Sequence, residues 1–240
     1  MANFMRAARC GILVAILHAA GHQAFAQVIS TAAGGGAGAD GGAAVSASLN
    51  APHGVALDSA GNIYIADTAN HRIRRVDSAS GVISTVAGTG VAGFNGDGIA
   101  ATSAQINLPV GIAVNATGDV FFSEFGGQRI RKIAQATGFV STVAGTGGAG
   151  NFNGDAIAAT TATLGAPRGI ALDAAGNLYF ASRDHHRVRK IDAGSGLIST
   201  VAGTGTSSVT GGYNGDSMAA TSAQLFYPDG VAVAANGEVF

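Results

Sequence analysis

Tryptophan is absent from this chain of 240 residues, cysteine occurs once, proline four times, and charged residues make up only 11%. A lone Cys10 excludes a disulfide framework and a cysteine zinc site. The small formal charge of −1 argues against a polyanion as the main partner. A hydrophobic content of 47% with so little charge excludes a disordered chain. No segment reaches the roughly 18 consecutive apolar residues that a membrane helix needs.

The first residues read as an address. Arg6 and Arg9 begin it, Gly11 to Ala20 are mostly apolar apart from His18, and Ala24-Phe25-Ala26 offers a small-x-small cleavage site before Gln27. This pattern predicts a signal peptide over 1–26 and an exported product, secreted or periplasmic. Ala8-Arg9 before Cys10 does not suit a lipoprotein site, so the product is expected to be free. Taking Arg6 and Arg9 from the 13 basic residues leaves 11 against 14 acidic ones, a formal charge of −3, and no thiol nucleophile after cleavage.

Glycine is what the chain has in abundance, 38 residues, and it recurs in register. Pro52, Pro109, Pro167 and Pro228 open successive copies of one pattern, spaced 57, 58 and 61 residues apart. In the copy from Pro52, Gly54–Asp58, Ile63–Asp67, Arg72–Val76 and Val82–Ala87 read as four short strands joined by turn residues. Four antiparallel strands with short connections make one blade of a β-propeller, so the fold class is all-β. Blades are expected near 52–88, 109–145 and 167–203. An outer strand at 28–32 leads into them and an incomplete blade at 228–240 follows. The alanine-rich run from Ile99 to Gln105, in the linker between blades, predicts a helical turn. The recurring Gly54, Gly111, Gly169 and Gly230, with Ala56, Ala113, Ala171 and Ala232, predict tight packing between inner strands.

Pro52-His53-Gly54-Val55-Ala56-Leu57-Asp58, Gly61-Asn62-Ile63-Tyr64-Ile65-Ala66-Asp67 and Asn70-His71-Arg72-Ile73 resemble the NHL-repeat family. The Ser-Thr-Val-Ala-Gly-Thr-Gly and Asn-Gly-Asp portions are similar to exported bacterial members. The resemblance covers nearly all of 28–240. It implies a propeller, usually of about six blades, so this chain is expected to be a piece of a longer one. Members bind proteins, RNA or small ligands, and a few are enzymes, so the fold alone assigns no activity.

The motifs that suggest chemistry read mostly as structure. Gly88-Thr-Gly90-Val-Ala-Gly93 spells a dinucleotide fingerprint, but no βαβ unit surrounds it, and no cofactor is expected. Asn95-Gly96-Asp97, Asn153-Gly154-Asp155 and Asn214-Gly215-Asp216 have too few oxygens for calcium and the composition of tight turns. No metal site is expected. Nine basic residues fall on the third strands: Arg72, Arg74, Arg75, Arg129, Arg131, Lys132, Arg187, Arg189 and Lys190. Asp67, Asp77, Glu124, Asp184 and Asp192, close by in sequence, are expected to pair with them. His71, Gln128 and His186 share one position and should serve that connection.

What differs between copies is the place to look for recognition. The residue between proline and glycine is His53, Val110, Arg168 or Asp229, and the connection after the second strand begins with Thr68, Phe125 or Arg183. His53, Arg168, Asp229, Phe125 and Arg183 are therefore the candidate ligand-binding residues. No catalytic residue stands out. The expected function is a binding or scaffold module for a protein, glycan or small ligand, nucleic acid being disfavoured. The alternative is a lyase- or lactonase-like propeller with a metal at its axis, completed by further sequence.

Overall fold

Short runs of β-branched and aromatic residues between glycine-bearing turns pair into three antiparallel sheets. The computed structural model describes residues 30–205 and 213–240. The signal peptide expected over 1–26 lies outside the described residues, as does the start of the expected strand at 28–32; residues 30–32 form no strand.

The first sheet has the order β1 (Pro52–Leu57), β2 (Ile63–Asp67), β3 (Arg72–Val76), β4 (Ile83–Ala87). The second contains β5 (Ile99–Ala100), β6 (Pro109–Val114), β7 (Val120–Glu124), β8 (Arg129–Ile133) and β9 (Phe139–Ala144). The third repeats it with β10 (Ile157–Ala158), β11 (Pro167–Leu172), β12 (Leu178–Ser182), β13 (Arg187–Ile191) and β14 (Leu197–Ala202). The C-terminal residues turn back on themselves, with Val233 bridged to Val239.

The second and third blades carry a fifth strand that the sequence reading did not contain. β5 pairs with β9 and β10 with β14, so the linker leaving one blade clasps the outer edge of the next. After this clasp comes the helical turn expected within the alanine-rich run, a 3-10 turn at Ala101–Ser103 and, in the next blade, at Ala159–Thr161. The first blade is clasped by an Ala43–Val82 bridge, followed by the 3-10 turn Ala44–Ser46. Covering an outer strand in this way satisfies backbone groups that would otherwise template another chain.

The blades pack through apolar clusters. Ile73, Ile106, Phe122 and Val140 belong to the core between the first and second, and Ile130, Leu164, Phe180 and Ile198 to that between the second and third. At the inner strands the backbones nearly touch. A β-carbon on Gly54 would overlap the Val110 carbonyl oxygen, and one on Gly111 the Arg168 carbonyl oxygen. The recurring inner alanines are looser, since Ala56, Ala113 and Ala171 are only partly buried. Glycine, rather than alanine, sets the approach of the blades.

Candidate ligand-binding end of the inner strands

The residue following each second strand reaches across to the next blade. Thr68 Oγ1 donates to the Pro109 carbonyl at 2.6 Å. One blade on, Arg168 lies with its guanidinium carbon 4.7 Å from the centre of the Phe125 ring. In the next, Arg183 lies 4.3 Å from the centre of the Tyr227 ring. The same junction is thus a neutral hydrogen bond in one copy and a cation–π contact in two others, each contributing about 0.5–1 kcal/mol where water reaches it.

Three of the five candidate residues meet here. Arg168 stacks on Phe125 and donates through Nη1 to Asp229 Oδ1 at 3.1 Å. Its backbone is held independently: Ser123 Oγ donates to the Arg168 carbonyl at 2.6 Å and accepts from the Gly111 N–H at 2.8 Å. Arg183 pairs with Asp184 at 2.9 Å and belongs to the neighbouring junction. His53 is exposed on β1, and among the described residues no hydrogen bond or ring contact joins it to the other four.

Sequence reasoning missed the aromatic part of this end. Phe226 and Tyr227 are 47% and 41% exposed, with ring centres 4.4 Å apart. His186 stacks on Phe226 at 5.5 Å, and its Nδ1 accepts the Tyr227 N–H at 3.1 Å. The signal was present just before Pro228, where the other copies read Asn50-Ala51, Asn107-Leu108 and Gly165-Ala166.

The acids that end β2 and β7 are structural. Asp67 and Glu124 are buried: Asp67 accepts from the Asn50 N–H at 2.8 Å and from Arg74 at 3.2 Å, and Glu124 Oε1 accepts from the Asn107 N–H at 2.7 Å. Glu124 Oε2 is buried with no hydrogen-bond partner. Burial pushes this carboxyl up to about 7, against the Asn107 hydrogen bond and the charges of Arg131 and Arg129. Ser182, at the same position, donates to the Leu164 carbonyl. His71 Nδ1 and Gln128 Oε1 accept the N–H groups of Leu108 and Ala166, at 3.2 and 2.6 Å, fixing the entry to the following blade.

Arg74, Arg131 and Arg189 are buried. Arg131 donates to Asp97 at 3.0 Å and to the Gly96 carbonyl at 2.7 Å, and Arg189 likewise to Asp155 and Gly154. Arg74 bonds Asp40 at 2.5 Å. The Asn-Gly-Asp loops at 95–97 and 153–155 are thus clamps on the next blade's arginine. Among the acids near in sequence, Asp67, Asp77 and Asp192 do pair with third-strand cations, but Asp184 pairs with Arg183, and no ion pair joins Glu124 to one. Among the described residues no group of three or more His, Cys, Asp or Glu side chains is placed to hold a metal ion.

The chain matches the NHL repeat family over residues 49–76 and the Teneurin NHL domain family over residues 146–212. It is 38% identical over 72 residues to NHL repeat-containing protein 2 of Gallus gallus, an alignment covering 30% of this chain and 10% of that protein. Its fold is similar to an auxiliary nutrient binding protein of Bacteroides thetaiotaomicron, with a TM-score of 0.57 and 17% identity, covering 85% of this chain and 44% of the other. It is also similar to a streptogramin B lyase, with a TM-score of 0.51 and 16% identity, covering 80% and 47%. The chain therefore spans a tenth of that curated relative and less than half of either solved structure.

Proposed function

Since the chain belongs to the NHL-repeat β-propeller family, we propose that it is an exported binding module whose ligand meets the end of the inner strands at Phe125, Arg168, Asp229, Arg183 and Tyr227. One observation carries this reading: an inter-blade contact that needs only a small hydroxyl at Thr68 is made elsewhere by a ring and a guanidinium group, Phe125 with Arg168 and Tyr227 with Arg183. Rings beside charged hydrogen-bonding groups suit a ligand with an apolar face and a polar edge, such as a sugar, a small metabolite or a peptide side chain.

Export is supported by the leader-like residues 1–26, and among the described residues no helix is long and apolar enough to cross a membrane. The likenesses to the nutrient binding protein and to the lyase both extend to fold alone, so the binding role rests on the residues of this chain.

The test is binding to a glycan and metabolite array, repeated with Phe125, Arg168, Arg183 and Tyr227 all changed to alanine. Loss of the captured ligand by a variant that still unfolds cooperatively supports the site. Retained binding by the folded variant refutes it.

A further inference from the structure

A second candidate site lies away from the inner strands, and it is visible only when the blades are compared. Three positions before the clamp aspartates Asp97 and Asp155 stand Phe94 and Phe152. Each ring is a platform for two guanidinium groups of the following blade. Arg129 and Arg131 lie 3.9 and 5.0 Å from the Phe94 ring centre, and Arg187 and Arg189 lie 3.9 and 4.7 Å from that of Phe152.

The first blade has the same clamp without the ring. Arg74 reaches Asp40 across 34 residues, as Arg131 reaches Asp97 and Arg189 reaches Asp155. It also donates to the Ser48 carbonyl across 26 residues, as Arg131 does to that of Gln105. Three positions before Asp40 stands Ala37. Among the described residues no aromatic ring covers Arg72 or Arg74, and an open depression of about 330 Å³ lies there, bordered by Ala37, Asp40, Ser48, Asn70, Arg72 and Arg74. That volume falls within the range of roughly 300–1,000 Å³ typical of small-molecule sites.

We propose that this depression is a binding site for a small molecule carrying a neutral, planar aromatic ring, which takes the place that Phe94 and Phe152 occupy in the other blades. The Nη groups of both guanidinium groups are already engaged. Arg72 donates to the Asn70 and Thr89 carbonyls, and Arg74 to Asp40, Asp67 and Ser48. Their flat faces are what an incoming group can use, and a flat cationic face attracts a π system. The two positive charges are matched by Asp40 and Asp67, so the local balance favours a neutral ring over an aryl anion. Arg74 is held by its three partners, so little side-chain freedom is lost on binding.

The test is a titration of the full chain with p-cresol, followed through backbone amide NMR shifts. Saturable shifts confined to Ala39, Asn70 and Thr85 are expected, and Ala37→Phe, which puts a ring at the border of the depression, should weaken them at least tenfold. Phe94→Ala should open an equivalent cavity beside Arg129 and add a second saturable set at Gln105 and Thr142. No localised shifts in the native chain, undiminished binding in a folded Ala37→Phe variant, or no second set in Phe94→Ala would each overturn the proposal. If Ala37→Phe does not fold, the native and Phe94→Ala chains still decide it.

Discussion

Arg131 and Asp97 meet at 3.0 Å from positions 34 residues apart, the arginine fully buried and the aspartate 39% exposed. The pair ties a linker loop to the blade that follows it, and Arg189 with Asp155 repeats it at 3.0 Å. Asp97→Ala leaves a buried cation with carbonyl acceptors alone. A hydrogen bond to a charged group contributes about 1.5–3 kcal/mol, and the half-open position of Asp97 places the expected loss near the lower figure. Urea unfolding of Asp97→Ala, Asp155→Ala and the double variant checks this, with the two losses adding because the sites share no partner.

The inner strands offer a sharper backbone test. Gly111→Ala would drive a methyl group into the Arg168 carbonyl, in the region where Ser123 joins the two blades. Overpacking of this kind costs about 1–3 kcal/mol. Denaturation of Gly111→Ala in the same urea series checks this.

Glu124 gives the chain a pH dependence of definite sign. Its carboxyl is raised in the folded state to about 7 from the ordinary 4.5, so the folded form holds the proton more tightly than the unfolded one. Its contribution to stability is complete below about pH 4.5 and is lost as the pH rises through about 7. Wild type should therefore lose stability between pH 5 and 7.5 relative to Glu124→Gln, by up to the order of 3 kcal/mol. Parallel curves for the two proteins over that range would contradict it. At the acid end the sign reverses: burial opposes ionisation of Asp58 and Asp173, but hydrogen bonds from Asn62 and Asn177 outweigh it and lower both, so their contribution disappears as pH falls below the ordinary 3.8.

The copies also supply a swap experiment. Asn62 Nδ2 donates to Asp58 at 2.7 Å in the first blade, and in the second the residues are exchanged, Asn115 Nδ2 approaching Asp119 at 3.4 Å. Tyr64 donates to Asp58 at 3.4 Å, and its counterpart beside Asn115 is Phe121. Asp58→Asn alone should cost about 1–2 kcal/mol, and adding Asn62→Asp and Tyr64→Phe should recover most of it. A triple variant no more stable than the single one would refute the exchange.

The sheets were legible in the sequence because period-two apolar runs and turn residues are local signals. Pro52, Gly54 and Ile63–Asp67 announce two strands and the turn between them without reference to the rest of the chain. The clasp strands were not legible, since Ile99-Ala100 is too short to show a period and its partner, Phe139-Val140, lies 40 residues on. The arginine clamps escaped for the same reason: nearness in sequence favoured acids such as Glu124 for the third-strand cations, and the fold supplied Asp97 for Arg131. At the candidate site, divergence between copies pointed to Phe125 and Arg168. It passed over Phe226 and Tyr227 because attention fell on the residue after the proline and not on those before it.

The clasp has a consequence for cutting and grafting. Counted by sequence, a repeat runs from proline to proline, but a blade cut out at Pro109 leaves behind the strand that seals its outer edge and the loop that anchors Arg131. The self-contained piece is out of phase with the repeat: it begins before Phe94 and ends at Ala144. Chimeras joined within Gly88–Gly93 should retain every clasp and clamp, whereas junctions placed at the prolines would exchange them between blades that were not matched to one another.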